Sequence, residues 1–125
     1  MAFWIFMFIM VLLIPVTMIV FGGLFMKRAP GNINMVFGYR TSRSMKNKDT
    51  WEFAHKYIGK LWFYGGIIIL IFSILPMFFC LEKSADTIGA FGGVIVALQI
   101  IPMIGTIIPT ERALKKHFDE FGRRR

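Results

Sequence analysis

The residues capable of recognition or chemistry are concentrated in one polar, basic stretch, residues 32–59, which lies between hydrophobic runs. Arg40 offers a planar fork of donors for a carboxylate, a phosphate headgroup or the carbonyl groups of a helix end. Gly38 allows a backbone turn that other residues would strain, and Asn47 can bridge backbone groups of a loop. A simpler interpretation is that Arg40, Asn47 and Trp51 only lock the loop onto the inner ends of helices. The residue types leave open both this lock and a binding site for a lipid, a peptide or a cytoplasmic partner.

Catalytic chemistry is not indicated by any spacing in the chain. His55 and His117 stand alone, without cysteines or acid pairs at metal-ligand spacing, so a metal site is not expected. The sequence contains neither a phosphate-binding glycine loop nor a nucleophile elbow. Asp49 and Glu52 could serve acid–base work, but a capping box at the start of a helix explains both. We therefore expect no enzymatic activity, no metal and no cofactor.

The elements that must position this stretch are membrane-spanning helices. The chain has 125 residues, of which 56% are hydrophobic and 14 are Phe, and a soluble domain of this size could not bury so much apolar surface. Three uncharged runs each reach the roughly 20 residues that a helix needs to cross the hydrocarbon core. The sequence predicts an all-α, polytopic membrane protein with three transmembrane helices. We place them at about residues 2–26, 58–81 and 87–109, in a single membrane domain, residues 1–125.

The formal net charge of +8 orients these helices and does not indicate nucleic acid. Basic residues crowd the segment 27–57 and the tail 110–125, whereas the short segment between the second and third spans has one base, Lys83, and two acids. The positive-inside rule then places the N-terminus outside and both basic segments, with the C-terminus, in the cytoplasm. We expect 27–57 to be a cytoplasmic amphipathic loop with a helix in its second half. We expect the tail to lie on the inner membrane surface, with the lipid bilayer as the first partner.

Four residues of the first span predict how it is placed and packed. Trp4 is typical of an interfacial anchor at the outer surface, and Pro15 predicts a kink. Gly22 and Gly23, near the inner end, could permit close approach of another helix, or they could simply be tolerated. The sequence leaves these two alternatives open.

The third span carries a small-residue pair and one polar residue. Gly89 and Gly93 have the GxxxG spacing that permits close helix packing. Gln99 lies near the middle of the span, where its amide needs a partner in hydrocarbon. That partner could be another helix or, in a transporter, a substrate in a small wet cavity.

The central stretch resembles the signature of the SdpI family of bacterial membrane proteins. In that family an Asn precedes a Gly-Ile/Tyr-Arg-Thr segment, a Ser/Thr-Leu/Met turn and a second Asn. A Trp, a His-Arg/Lys pair and a Gly at the start of the next span then follow. The order, spacing and membrane placement agree here. The matching residues are Asn32 or Asn34, Gly38, Tyr39, Arg40, Thr41, Ser44, Asn47, Trp51, His55, Lys56 and Gly59.

The resemblance implies an integral protein of a Gram-positive-type plasma membrane. Some members are immunity proteins against a secreted, membrane-active killing peptide, so immunity or toxin resistance is our first hypothesis. A second is a small transporter or channel, for which three spans would have to assemble as a homo-oligomer around a path. A third is a membrane anchor whose basic loop holds a cytoplasmic regulator. The partner would be, respectively, a peptide toxin, further copies of this chain or that regulator.

Overall fold

The computed structural model describes residues 1–29 and 38–125, and within these ranges the protein is helical. The helices are α1 (Ala2–Lys27), α2 (Lys48–Phe79), α3 (Ala85–Gly105) and α4 (Ile107–His117). Three helical segments are long and apolar enough to cross a membrane: α1, α2 and the nearly continuous pair of α3 and α4. The predicted all-α, multi-pass membrane fold is therefore confirmed over the described ranges. Asn32 and Asn34 lie outside them.

α2 begins earlier than the sequence indicated, with a different cap. The Oδ1 atom of Asn47 accepts a hydrogen bond from the Thr50 N–H at 2.9 Å, and Thr50 Oγ1 accepts from the Asn47 N–H at 3.1 Å. The capping box expected from Asp49 and Glu52 is wrong, because the helix begins two residues earlier and Asp49 already lies in its first turn, where it forms an ion pair with Arg124 of the C-terminal tail. Residues 48–57, expected as a helix in the second half of the cytoplasmic segment, are the first turns of a continuous helix of 32 residues that runs on into the second span.

α1 and α2 pack backbone to backbone near the loop. A Cβ atom on Gly22 would lie 2.7 Å from Gly59 O, and one on Gly59 would lie 2.7 Å from Met26 N. No side chain fits at either position, so these glycines set the distance between the two helices. A Cβ atom on Gly23 would meet only the Phe63 ring, at 3.4 Å. Of the two alternatives for the glycines, close approach applies to Gly22 and tolerance to Gly23.

α3 packs on α1 through Gly92 and not through the predicted pair Gly89 and Gly93. A Cβ atom on Gly92 would collide with Met7 Cε, whereas one on Gly93 would have no atom within 4 Å. Gly89 would meet only the Phe3 ring, at 3.8 Å. Successive helical residues point about 100° apart, so a shift of one position turns the expected glycine pair away from the contact.

Gln99 ties α3 to the other two long helices in the interior of the bundle. Its Nε2 donates to Val11 O at 2.9 Å and to Ser73 Oγ at 2.8 Å. The Val11 oxygen is the one that the N–H of residue 15 would bond in a regular helix, and Pro15 has no N–H. The amide thus satisfies a backbone oxygen that proline leaves open in hydrocarbon. The other end of the amide, Gln99 Oε1, has no partner within the described residues.

Trp4 packs inside the bundle, whereas an interfacial anchor was expected. Its side chain is 9% exposed, and its Nε1 donates to Met77 O at 2.7 Å. The indole stacks on Phe8 with ring centroids 4.9 Å apart. The residue therefore connects the start of α1 to the end of α2.

Candidate functional site

Residues 38–47, which carry the described part of the sequence signature before α2, form a compact, self-bonded loop that we call the signature loop. The buried Ser44 hydroxyl, with its one hydrogen, lies 2.9 Å from Tyr39 O and 3.0 Å from Thr41 O, so either oxygen can accept it. The Thr41 N–H donates to Ser44 Oγ at 2.9 Å. Thr50, in the first turn of α2, donates its hydroxyl to Ser44 O at 3.0 Å. The loop is thereby fixed to the helix that follows it.

His55 holds the other end of the signature loop. The Tyr39 N–H donates to His55 Nε2 at 2.8 Å, and His55 Nδ1 lies 2.8 Å from Trp51 O. A ring nitrogen that accepts a hydrogen bond carries no proton, so Nδ1 must carry the hydrogen and donate to Trp51 O. The imidazole is fully buried, with its edge against Phe25. Both nitrogens are occupied, and His55 acts as a neutral positioning residue for the loop.

Gly38 is required at the start of this contact for two reasons. Its φ angle is +108°, a conformation that favours glycine over residues with a Cβ atom. In addition, a Cβ atom there would lie 2.6 Å from His55 Nε2. The sequence-based prediction that Gly38 makes a special backbone turn is thus confirmed, and the close imidazole supplies a second reason for it.

Glu111 on α4 connects the signature loop to the end of the third span, and the sequence analysis missed it. Its Oε2 accepts from the Tyr39 hydroxyl at 2.8 Å and from Thr41 Oγ1 at 3.0 Å. Burial, followed by the hydrogen bond and charge of Glu111, raises the pKa of the Tyr39 hydroxyl well above its ordinary value of 10.0. The sequence offered one signal for this role: Glu111 directly follows the third apolar run. A carboxylate at the edge of the membrane needs hydrogen-bond donors from the protein or from water.

The C-terminal tail folds back onto the start of α2. Asn47 Nδ2 donates to Gly122 O at 2.6 Å. The guanidinium of Arg124 contacts both carboxylate oxygens of Asp49, at 3.0 and 3.1 Å, and lies over the Phe118 ring. The tail was expected to lie on the membrane surface. These contacts place it against the bundle, beside the N-terminus of α2.

An apolar chamber of about 480 Å³ opens next to the signature loop. Two lining residues, Ile104 and Ile107, are 56% and 40% exposed, so the chamber opens to the outside of the bundle along α3 and α4. Its apolar wall comes from the halves of the spans nearest the signature loop, and its polar end comes from that loop. The described lining residues are Phe21, Phe25, Gly38, Tyr39, Arg40, Thr41, Ile58, Trp62, Met103, Ile104 and Ile107.

The structure brings most of the predicted site residues together and separates a few. Lys56 is exposed on α2, Gly59 lies in the α1–α2 contact, and Gln99 lies deep in the bundle, away from the loop. Arg40 is exposed at the polar end of the chamber. The bonded network around the loop contains Gly38, Tyr39, Thr41, Ser44, Asn47, Trp51 and His55, together with the unpredicted Thr50 and Glu111.

Comparison with known proteins matches the same region. The profile of the SdpI/YfhL protein family matches residues 32–110, which include the signature loop, α2, α3 and most of the chamber lining. The chain is also 31% identical over 102 residues to the uncharacterized protein YfhL of Bacillus subtilis (strain 168). That similarity covers 78% of this chain and 79% of YfhL. No solved structure matches the chain.

Proposed function

Because the chain belongs to the SdpI/YfhL protein family, we propose that it protects a Gram-positive-type plasma membrane against a membrane-active peptide toxin. The role is immunity or resistance, and it is exerted by binding and not by catalysis. The bound part of the toxin is an apolar segment that enters the chamber beside the signature loop.

The chamber is the observation that carries this proposal. Its volume of about 480 Å³ lies within the range of sites that bury most of a small ligand. It opens at Ile104 and Ile107, on helices that are apolar enough to face lipid. A segment arriving from the bilayer would exchange loose contacts with lipid chains for close contacts with side chains, and such packing drives association inside membranes.

The distribution of charge supports one orientation of the protein. The signature loop, α4 and the tail are joined by hydrogen bonds at a single end of the bundle, and this end carries most of the basic residues. Placing this end in the cytoplasm satisfies the positive-inside rule. The N-terminus is then outside, and the chamber opens into the inner leaflet.

The other two hypotheses receive less support from the contacts. A transporter or channel relied on Gln99, but both hydrogens of its amide are used within one chain, on Val11 and Ser73. An anchor for a cytoplasmic regulator would use exposed bases such as Lys56 and Lys60, which lie outside the chamber lining. The chamber supports the toxin-binding hypothesis more directly than either of these two.

Survival of sensitive cells tests the proposal. Cells with and without the expressed protein are exposed to the supernatant of a strain that secretes a membrane-active killing peptide. We expect expression to protect. Ile104→Trp, which fills the chamber entrance, should abolish protection, whereas Ile101→Trp should retain it, because Ile101 is 67% exposed on α3 and lies outside the chamber lining.

Two outcomes would count against the proposal. Equal killing of cells with and without the protein, at confirmed expression in the membrane, would refute the immunity role. Full protection by Ile104→Trp would refute the chamber as the binding site.

A further inference from the structure

Among the described residues that line the chamber, the polar side-chain groups are, with one exception, already used within the protein. The Tyr39 hydroxyl and Thr41 Oγ1 both donate to Glu111, and Trp62 Nε1 donates to Thr106 Oγ1 at 2.8 Å. Each of these three groups has a single hydrogen to donate. None of them can donate to a ligand without losing a bond that holds the loop or the helices together.

The exception is Arg40. It is exposed at the polar end of the chamber, and it makes no hydrogen bond or ion pair with any residue in the described ranges. It forms no ion pair with Glu111, whose Oε2 accepts hydrogen bonds from Tyr39 and Thr41. A guanidinium has five N–H donors and no acceptor. Its best partners are therefore anions that accept two parallel hydrogen bonds, namely carboxylates and phosphates.

From these contacts we infer that the chamber selects amphiphiles whose polar end is a carboxylate or a phosphate, and that Arg40 binds this end while the apolar chain lies against Trp62, Met103 and Ile104. The inference deepens the binding site of the proposed function by naming the chemistry of its ligand. It predicts an order of affinity. Anionic amphiphiles bind best, neutral ones of the same chain length bind more weakly, and cationic ones are repelled by Arg40 and the bases around it.

Of the three tryptophans, Trp62 is the one in the described chamber lining. Bromine atoms quench indole fluorescence on contact, so the part of the quenching that is lost in Trp62→Phe is the measurement. The protein is placed in phosphatidylcholine nanodiscs at alkaline pH and titrated with dibrominated stearate. The methyl ester of the same chain serves as the neutral control. We expect saturable quenching by the acid and only gradual, non-saturable quenching by the ester, as both partition into the bilayer.

Variants assign the effect to Arg40. Arg40→Gln should weaken the saturable quenching by about tenfold or more, the loss expected for one bidentate, charge-assisted contact. Arg40→Lys should retain part of it, because an ammonium keeps the charge but lacks the fork. Arg43→Gln removes an equal charge from the same loop, outside the chamber lining, and should change little. A parallel titration with phosphatidic acid carrying brominated chains distinguishes a two-chain lipid source from a single-chain one.

Equal quenching by acid and ester in the native protein would overturn the inference, and this comparison does not depend on any variant folding. Equal saturation in Arg40→Gln and in the native protein would also overturn it. The cellular test is separate: absence of protection together with saturable quenching would remove the immunity role and leave the ligand chemistry standing. Protection without saturable quenching would refute the ligand chemistry and leave the immunity role standing.

Discussion

Gln99 on α3 donates a hydrogen bond to the carbonyl oxygen of Val11 on α1, the oxygen that Pro15 leaves without its helical donor. The proline and the glutamine are 84 positions apart, yet the glutamine supplies the hydrogen bond that the proline removes. Without Gln99 a backbone oxygen would face hydrocarbon unbonded. Without Pro15 the same oxygen would need no side-chain donor.

This relationship predicts a non-additive pair of substitutions. Gln99→Met should lower the free energy of unfolding by about 1 kcal/mol, the usual size of an interhelical hydrogen bond in a membrane protein. In a Pro15→Ala background the helix supplies its own N–H to Val11, so Gln99→Met should then cost less. A double-mutant cycle, measured by unfolding in mild detergent, tests this coupling. Additive effects would show that the two residues act independently.

The glycine contact between α1 and α2 predicts that substitutions at neighbouring glycines have very different effects. Gly22→Ala and Gly59→Ala should each destabilise the bundle by about 1–3 kcal/mol, because the added methyl group meets backbone atoms that cannot move aside. Gly93→Ala is the control, since its Cβ atom would have no neighbour within 4 Å. Thermal unfolding in detergent should place Gly93→Ala at or above the native protein. Equal losses at all three positions would contradict the described packing.

The link between Glu111 and the signature loop predicts that the loop depends on a residue of α4. Glu111→Ala should remove the acceptor of both Tyr39 and Thr41 and weaken the structure by roughly 1–3 kcal/mol. Hydrogen exchange should rise at residues 38–47 while the middle of α2 stays protected. Glu120→Ala, an exposed acid of the tail, is the matched control. Unchanged exchange in the loop of Glu111→Ala would rule out this role.

The raised pKa of the Tyr39 hydroxyl predicts a loss of stability at alkaline pH. The folded protein favours the neutral phenol, because burial and the adjacent Glu111 carboxylate both disfavour tyrosinate. The stabilisation is complete below the ordinary tyrosine pKa of 10.0 and is lost as the pH rises from there through the raised folded value. A tyrosinate absorbance titration should therefore show one late-ionising group that is absent in Tyr39→Phe. Identical titration curves, apart from overall amplitude, would contradict the burial of this hydroxyl.

Asn47 has two separable roles, in the helix cap and in the docking of the tail. Asn47→Ala should cost about 1–2 kcal/mol through the lost cap and should also release Gly122. Asn47→Asp keeps an acceptor for the Thr50 N–H but removes the amide hydrogen that Gly122 O accepts. We therefore expect limited proteolysis to cleave the tail readily in both variants, whereas hydrogen exchange in the first turn of α2 should rise only in Asn47→Ala.

The sequence predicted the features that depend on local composition. Long uncharged runs indicate membrane helices from composition and length, and the glycine at position 38 predicts a turn from its residue type alone. The resemblance to the SdpI family selected residues that the structure brings together, including Tyr39, Thr41 and Ser44. These predictions need no knowledge of how one helix is rotated against another.

The features that the sequence did not predict depend on how the helices are rotated about their axes and on contacts between residues far apart in the chain. Whether Gly92 or Gly93 faces α1 is a matter of about 100° around the α3 axis, which a single GxxxG pattern does not determine. Glu111 meets Tyr39 across 72 positions, and its residue type gives no sign of the partner. The cap of α2 was misplaced for a local reason: Asn47 and Thr50 have the spacing of a capping box, but Asp49 and Glu52 have it too.

The bond between Gln99 and Val11 also has a consequence for how the protein is made. The two residues are separated by 88 positions, which a ribosome takes roughly 4 to 18 s to translate at ordinary rates. If α1 inserts before α3 is synthesised, the Val11 carbonyl group lacks this donor during that interval. Something other than α3 must shield it, and a photocrosslinker placed beside Val11 on stalled nascent chains would capture either the insertion machinery or α2. The hydrogen bonding of α1 is therefore completed only after α3 has been synthesised and has packed against it.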